Sequence, residues 1–142
     1  MTDIRGIYLV APFAKYGSLP QYLVLNPEAD RPMFVSLFEY ILPKGFKPPI
    51  QLAQTAAGLA YLHEQSVVHG DVKGANILVF DGPSARICDF GLAKQADPNP
   101  GTTQNNVGSL YWMSPERLQD QTRTRESDVY AFGLTIYEVS RV

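Results

Sequence analysis

Four residues in two short stretches carry side chains that can do chemistry together: Asp71, Lys73 and Asn76 in HGDVKGAN (69–76), and Asp89 in CDFG (88–91). Asp71 and Asp89 are carboxylates supplied by neighbouring loops, Asn76 is an amide oxygen five residues after the first, and Lys73 is a cation two residues after it. Hard oxygen donors that leave several coordination positions open suit Mg²⁺ bound together with substrate phosphates. A lysine ammonium beside them would neutralise charge on a transferring phosphoryl group, and a carboxylate held off the metal can accept the proton of an attacking hydroxyl. The chemistry that fits is phosphoryl transfer. Asp, Asn and Lys are each ordinary in turns and loops, so the spacing carries the reading rather than any one residue.

These residues must be presented by a loop braced between regular elements. The runs VVH and NILVF read as short strands flanking the loop, and DGPS (81–84) turns the chain into another short strand, ARIC, to make a hairpin. Upstream, IYLVAPF (7–13) reads as a strand stopped by Pro12, and GSLPQYLVL (17–25) as a short helix with Ser18 as N-cap and Pro20 in its first turn. Asn26 to Pro32 is a turn-rich connector. LAQTAAGLAYLHEQ (52–65) predicts an amphipathic helix whose apolar face is Leu52, Ala56, Leu59, Ala60 and Leu62 or His63. Positions 94–108 are polar and rich in Pro, Gly and Asn, which predicts a loop. Ser114 with Pro115 opens a further helix, and Ser127 is expected to cap the last one, SDVYAFGLTIYEV, which is apolar nearly all round and is therefore expected to be buried.

At 142 residues, 45% hydrophobic and 18% charged, the chain suffices for one modest domain with a core. A net charge of −2 gives no electrostatic footprint for nucleic acid or anionic lipid, so neither is expected as a partner. A single Cys excludes an internal disulfide. No signal-peptide pattern follows Met1 and no apolar run reaches membrane-spanning length, so the expected location is cytoplasmic. Heptads and repeats are lacking, which leaves the oligomeric state unread.

HGDVKGAN resembles the catalytic loop of eukaryotic protein kinases, DFG (89–91) their magnesium motif, SPE (114–116) their APE motif, and SDVYAFG (127–133) the start of their central helix. The resemblance covers nearly the whole chain. It implies an α+β fold of the kinase C-lobe type, mainly helical with short β-hairpins, with residues 1–16 as the last N-lobe strand and hinge and 17–142 as an incomplete C-lobe. By the same resemblance, Asp71 is the catalytic base, Lys73 the cation near the γ-phosphate, and Asn76 and Asp89 the magnesium ligands of an ATP site. Ala11 stands at the gatekeeper, and Pro12, Phe13 and Ala14 hold the adenine through their backbone. His69 and Phe90 are read as structural and His63 as packed rather than catalytic, Asp128 as a residue that bonds catalytic-loop backbone, and Cys88 as a small buried hydrophobe. Lys73 with GSLYWMSPE (108–116) is closer to serine/threonine kinases of the tyrosine-kinase-like group than to tyrosine kinases, so the implied partners are ATP, Mg²⁺ and a protein Ser or Thr hydroxyl.

The departures from the family pattern are equally specific. Gly70 stands where many kinases carry an Arg that pairs with a phosphate on the activation loop, so Thr102 and Thr103 have no such partner there. A GxGxxG loop is missing, and no strand Lys precedes the hinge; those parts cover and align ATP phosphates, so the chain by itself is expected to be an inactive fragment. The stretch VSLFEYILPKGFKPPIQ (35–51) intervenes where related kinases run directly into the next helix. Its Val and Gln codons can begin with GT and end with AG, which is the expectation for a retained intron, the alternative being a surface insertion. Two other functions compete: a non-catalytic kinase-like binding module, and a small-molecule phosphotransferase of the aminoglycoside or choline kinase kind. Lys73, DFG, SPE and SDVYAFG together argue against the latter.

Overall fold

The structure is a computed structural model that describes residues 11–29, 49–82, 84–96, 109–120 and 122–142. Four helices, α1 (Leu19–Leu25), α2 (Ile50–Glu64), α3 (Pro115–Asp120) and α4 (Arg125–Ser140), accompany four short strands, β1 (Val67–Val68), β2 (Ile77–Val79), β3 (Ala85–Ile87) and β4 (Lys94–Gln95). The architecture is α+β, with two separate two-stranded antiparallel ladders, β1 with β4 and β2 with β3.

The hairpin read from NILVF and ARIC is present, with Ile77 opposite Ile87 and Val79 opposite Ala85. Residues 16–18 extend it: Tyr16 N donates to Val79 O at 3.1 Å and Val79 N to Gly17 O at 2.8 Å. Alternation along β2 buries Ile77 and Val79. They join Leu19, Tyr22 and Leu23 of α1, Leu52 of α2, Ala85 of β3 and Val139 of α4 in the principal core cluster. A second cluster, Leu59, Val72 and Ala131, lies directly beneath the catalytic-loop candidate, with Trp112 and Phe132 packed against it. The loop therefore rests on hydrophobic support from α2 and α4.

Ser18 is the N-cap of α1 and Pro20 lies in its first turn, as the sequence predicts. The Gln21 side chain accepts from the Ser18 N–H at 2.9 Å, closing that end.

Several expectations are corrected. α2 begins at Ile50, so Ile50 and Gln51, placed in the inserted stretch, are its first residues, capped by a buried Pro49. The remainder of 35–51 lies outside the described residues. The buried face of α2 is Gln51, Leu52, Thr55 and Leu59, while Ala56 and Ala60 are exposed. At 100° per residue the buried residues form a stripe centred between Thr55 and Leu59, with Ala56 on its rim and Ala60 beyond it, and Thr55 is admitted because its hydroxyl bonds the Gln51 carbonyl at 2.7 Å.

The last helix starts three residues earlier than expected. Thr124 is its N-cap and accepts from Ser127 N at 3.2 Å, while Ser127 returns the bond from position N3. Nor is that helix buried all round: Asp128, Ala131, Thr135 and Val139 face inward, whereas Val129, Tyr130 and Tyr137 are exposed because no described element packs over them. β4 lies within the stretch predicted as loop, paired through Val67 with Gln95 and Val68 with Lys94. Ser114 precedes α3 as expected, but its hydroxyl is buried with no hydrogen-bond partner among the described residues. The strand read over 7–13 falls mostly outside the described residues, and its described part, 11–13, is not a strand.

Candidate active site

The apolar run Val67–Val68 ends in β1, and the chain then turns at Gly70, whose φ of +79° is the left-handed region that glycine enters without strain. A Cβ there would stand 3.0 Å from the Leu92 carbonyl and 3.0 Å from Arg123 Cδ. The residue where many kinases carry Arg thus sits in a position already filled from another side. Val72 points down into the second core cluster, and a 3-10 turn at Gly74–Asn76 delivers the chain to β2. Residues 71, 73 and 76 are left to face one another.

Asp71, Lys73 and Asn76 come together. Lys73 Nζ donates to Asp71 Oδ2 at 2.8 Å, and Asn76 Nδ2 donates to the same oxygen at 3.0 Å and to the Asp71 carbonyl at 2.8 Å. Asp71 is only 8% exposed. Burial pushes its carboxyl upward, but the Lys73 bond and charge, helped by the Ser109 N–H and the Asn76 amide, outweigh burial and hold it below the ordinary value of 3.8. The carboxylate is therefore ionised at neutral pH.

Ser109 is a member of this group that the sequence reasoning did not single out. Its backbone N–H donates to Asp71 Oδ1 at 3.3 Å and its hydroxyl accepts from Lys73 Nζ at 2.7 Å.

The loop is fixed from below. Asp128, 1% exposed in the first turn of α4, accepts from His69 N at 2.8 Å, from Gly70 N at 2.8 Å and from His63 Nε2 at 2.9 Å. The expectation for Asp128 is met in geometry, and His63 is tied to it. Arg117 Nη1 donates to the Gly70 carbonyl at 2.6 Å and Arg123 Nη1 to the Leu92 carbonyl at 2.6 Å. Burial, then the charge of Arg123, pulls the Arg117 guanidinium below its usual range, while Asp71 and Asp128 oppose the shift.

His69 is fully buried, with its ring held at both nitrogens. The Asp71 N–H must donate to Nδ1 (3.2 Å), so Nε2 carries the proton and donates to the Cys88 carbonyl at 2.9 Å. A neutral imidazole wedged between the two loops and edge-on to Phe90, with ring centroids 5.1 Å apart, is a strut.

Asp89 lies across that strut. Cys88 N donates to the Asn76 carbonyl at 2.9 Å, which brings residue 89 beside Asn76. Asp89 is exposed, has a φ of +63°, and accepts from Gly91 N at 3.3 Å. Asn76 uses its amide NH₂ on Asp71, which leaves its amide oxygen for another ligand. That oxygen and the open Asp89 carboxylate are a hard donor pair that fits Mg²⁺ shared with phosphate. Among the described residues no group of three or more His, Cys, Asp or Glu forms a metal cage. Cys88 is partly buried, its thiol donating to the Asn76 carbonyl at 3.3 Å; burial, and then the Asp89 charge, pushes it above its ordinary value. It is thus partly rather than fully buried, and its thiol makes a polar bond instead of serving only as the small buried hydrophobe expected.

Ala11, Pro12 and Phe13 are exposed, with Ala14 partly so, and the Ala14 carbonyl accepts from Gly17 N at 3.3 Å. They are joined to the rest of the site through the backbone bonds of Tyr16 and Gly17 to Val79 of β2. Thr102 and Thr103 lie outside the described residues.

Residues 1–142 match the family model described as protein tyrosine and serine/threonine kinase. The chain belongs to the protein kinase family. It is 38% identical over 109 residues, 73% of its length, to a probable serine/threonine-protein kinase of Dictyostelium discoideum. To the MAP kinase kinase MKK1/SSP32 of Saccharomyces cerevisiae it is 43% identical over 58% of its length. To a putative L-type lectin-domain containing receptor kinase V.8 of Arabidopsis thaliana it is 36% identical over 95% of its length. The chain spans 12%, 16% and 20% of the lengths of these three relatives. Protein kinases as a class use ATP and Mg²⁺. No helix among the described residues is long and apolar enough to cross a membrane.

Proposed function

We propose that this chain supplies the phosphoryl-transfer loop of a serine/threonine protein kinase, within the C-lobe of the kinase domain. The observation that carries the reading is the grouping of Lys73 and Asn76 on one oxygen of a buried Asp71 carboxylate, with Ser109 on the other. Asp71 orients the substrate hydroxyl and takes its proton as the hydroxyl oxygen bonds to the γ-phosphorus and the bond to the ADP oxygen breaks. Lys73 offers a positive charge to the transferring group, which carries charge on its equatorial oxygens. Asn76, through its amide oxygen, and Asp89 would hold Mg²⁺, whose contribution is to neutralise phosphate charge. The backbone of Pro12 to Ala14 would receive the adenine, with Ala11 at the gatekeeper.

Preference for Ser or Thr is supported by the names of the relatives and by Ser109, which ties the segment leading into α3 to both Asp71 and Lys73. The test is phosphoamino-acid analysis of substrates labelled by the full-length protein carrying this chain: phosphoserine and phosphothreonine are expected, and labelling confined to tyrosine would overturn the assignment. Because no GxGxxG loop or strand Lys stands before the hinge in these residues, the 142-residue chain by itself is expected to show no ATP turnover. Turnover that Asp71→Asn abolishes would refute this.

A further inference from the structure

Glu138, near the C-terminal end of α4, has no part in the chemistry above, yet its Oε2 accepts from Gly74 N at 2.9 Å. A Cβ at position 74 would lie 2.9 Å from both Glu138 carboxylate oxygens and 2.9 Å from Pro20 Cγ, closer than such atoms approach. Glycine is therefore what lets the carboxylate reach this amide. Gly74 opens the 3-10 turn Gly74–Asn76, and the first N–H groups of a helical turn have no partner within it. The turn ends at Asn76, which holds Asp71 through its side chain and Cys88 through its carbonyl.

Asp128 stands ten residues before Glu138 on the same helix, so the two backbone positions are about 15 Å apart along its axis and about 80° apart around it. Asp128 takes the amides of His69 and Gly70, at the start of the loop. Glu138 takes the amide of Gly74, towards its end. We infer that Glu138 is a second positioning residue for the loop: α4 clamps it at two points, and Asn76 is aimed by the point that Glu138 holds. The clamp rests on the geometry alone; its catalytic meaning rests on the phosphoryl-transfer reading.

Amide hydrogen exchange followed by NMR on the 142-residue chain tests it without reference to activity, so the clamp and the proposed reaction can fail separately. In Glu138→Ala the Gly74 amide is expected to exchange about tenfold faster or more, as befits the loss of a charge-assisted bond, while His69 and Gly70 keep their protection. Glu138→Gln, which retains an acceptor oxygen in the same place, is expected to restore protection at Gly74. An unchanged Gly74 rate in Glu138→Ala, or equal acceleration of all three amides, overturns the inference. Should the Ala variant fail to fold, the Gln variant decides alone, and free exchange at Gly74 in it is equally fatal.

Discussion

The loop at 69–76 and the loop at 88–92 meet at one seam, where Cys88 N bonds the Asn76 carbonyl and His69 Nε2 bonds the Cys88 carbonyl. On one side of that seam Asp71 is buried and bonded on both oxygens, over a backbone held by Asp128 and Arg117. On the other side Asp89 is exposed, in a left-handed backbone conformation, with a weak bond from Gly91 among the described residues, and Phe90 is 50% exposed. The contrast matches the roles proposed above, a base for Asp71 and a metal ligand for Asp89. A base must keep a fixed direction towards a hydroxyl, which burial and hydrogen bonds secure. A metal ligand must leave its oxygens open until an ion arrives, and strain is tolerated at such places when the surroundings impose it.

The strongest way to break the braced side is Asp128→Ala. It leaves two buried backbone donors, His69 N and Gly70 N, without an acceptor, at about 1–3 kcal/mol each, so a loss of about 2–6 kcal/mol is expected in chemical denaturation. A loss below 1 kcal/mol would mean that Arg117 and the core suffice without it.

A smaller effect sharpens the same side through pH. The Asp71 carboxyl is held below its ordinary value of 3.8 in the folded chain, so the unfolded chain binds more protons at low pH. Its stabilisation is present above pH 3.8 and is lost as pH falls through the folded-state value. Asp71→Asn should therefore flatten the fall of stability below about pH 4. An unchanged acid limb would place the pull of Lys73 elsewhere.

The smallest expected change lies on the open side. Asn tolerates the left-handed backbone as Asp does, and the Asp89 side chain is exposed, so Asp89→Asn should shift stability by no more than about 0.5 kcal/mol. Measured by the same denaturation, a loss as large as that of Asp128→Ala would erase the contrast.

The braced loop was legible because its residues are local in sequence and flanked by apolar runs: HGDVKGAN placed Asp71, Lys73 and Asn76 before any contact was known, and NILVF with ARIC gave the hairpin. Features that depend on distant partners were not. β4 is two residues long and exists through its pairing with β1, which no pattern within Lys94–Gln95 reveals. Thr124 and Ser127 are both good caps three residues apart, and reciprocal bonding between them hides which one begins the helix. Ala56 and Ala60 look more buried than Thr55 by type alone, until the Thr55 hydroxyl is seen to bond its own helix. The apolar sequence of α4 suggested burial all round, while its outer face is exposed in the described residues. Ser109 joins Asp71 across 38 positions, beyond the reach of any local spacing rule.

The most direct test of the central claim is the rate of phosphate transfer to Ser/Thr peptides by the full-length protein, with Asp71 and with Asp71→Asn, at saturating Mg·ATP. A base in this position predicts a fall of about 10²–10⁴-fold in kcat. A variant that keeps its rate within about twofold would remove Asp71 from the reaction, and with it the reason for the braced loop.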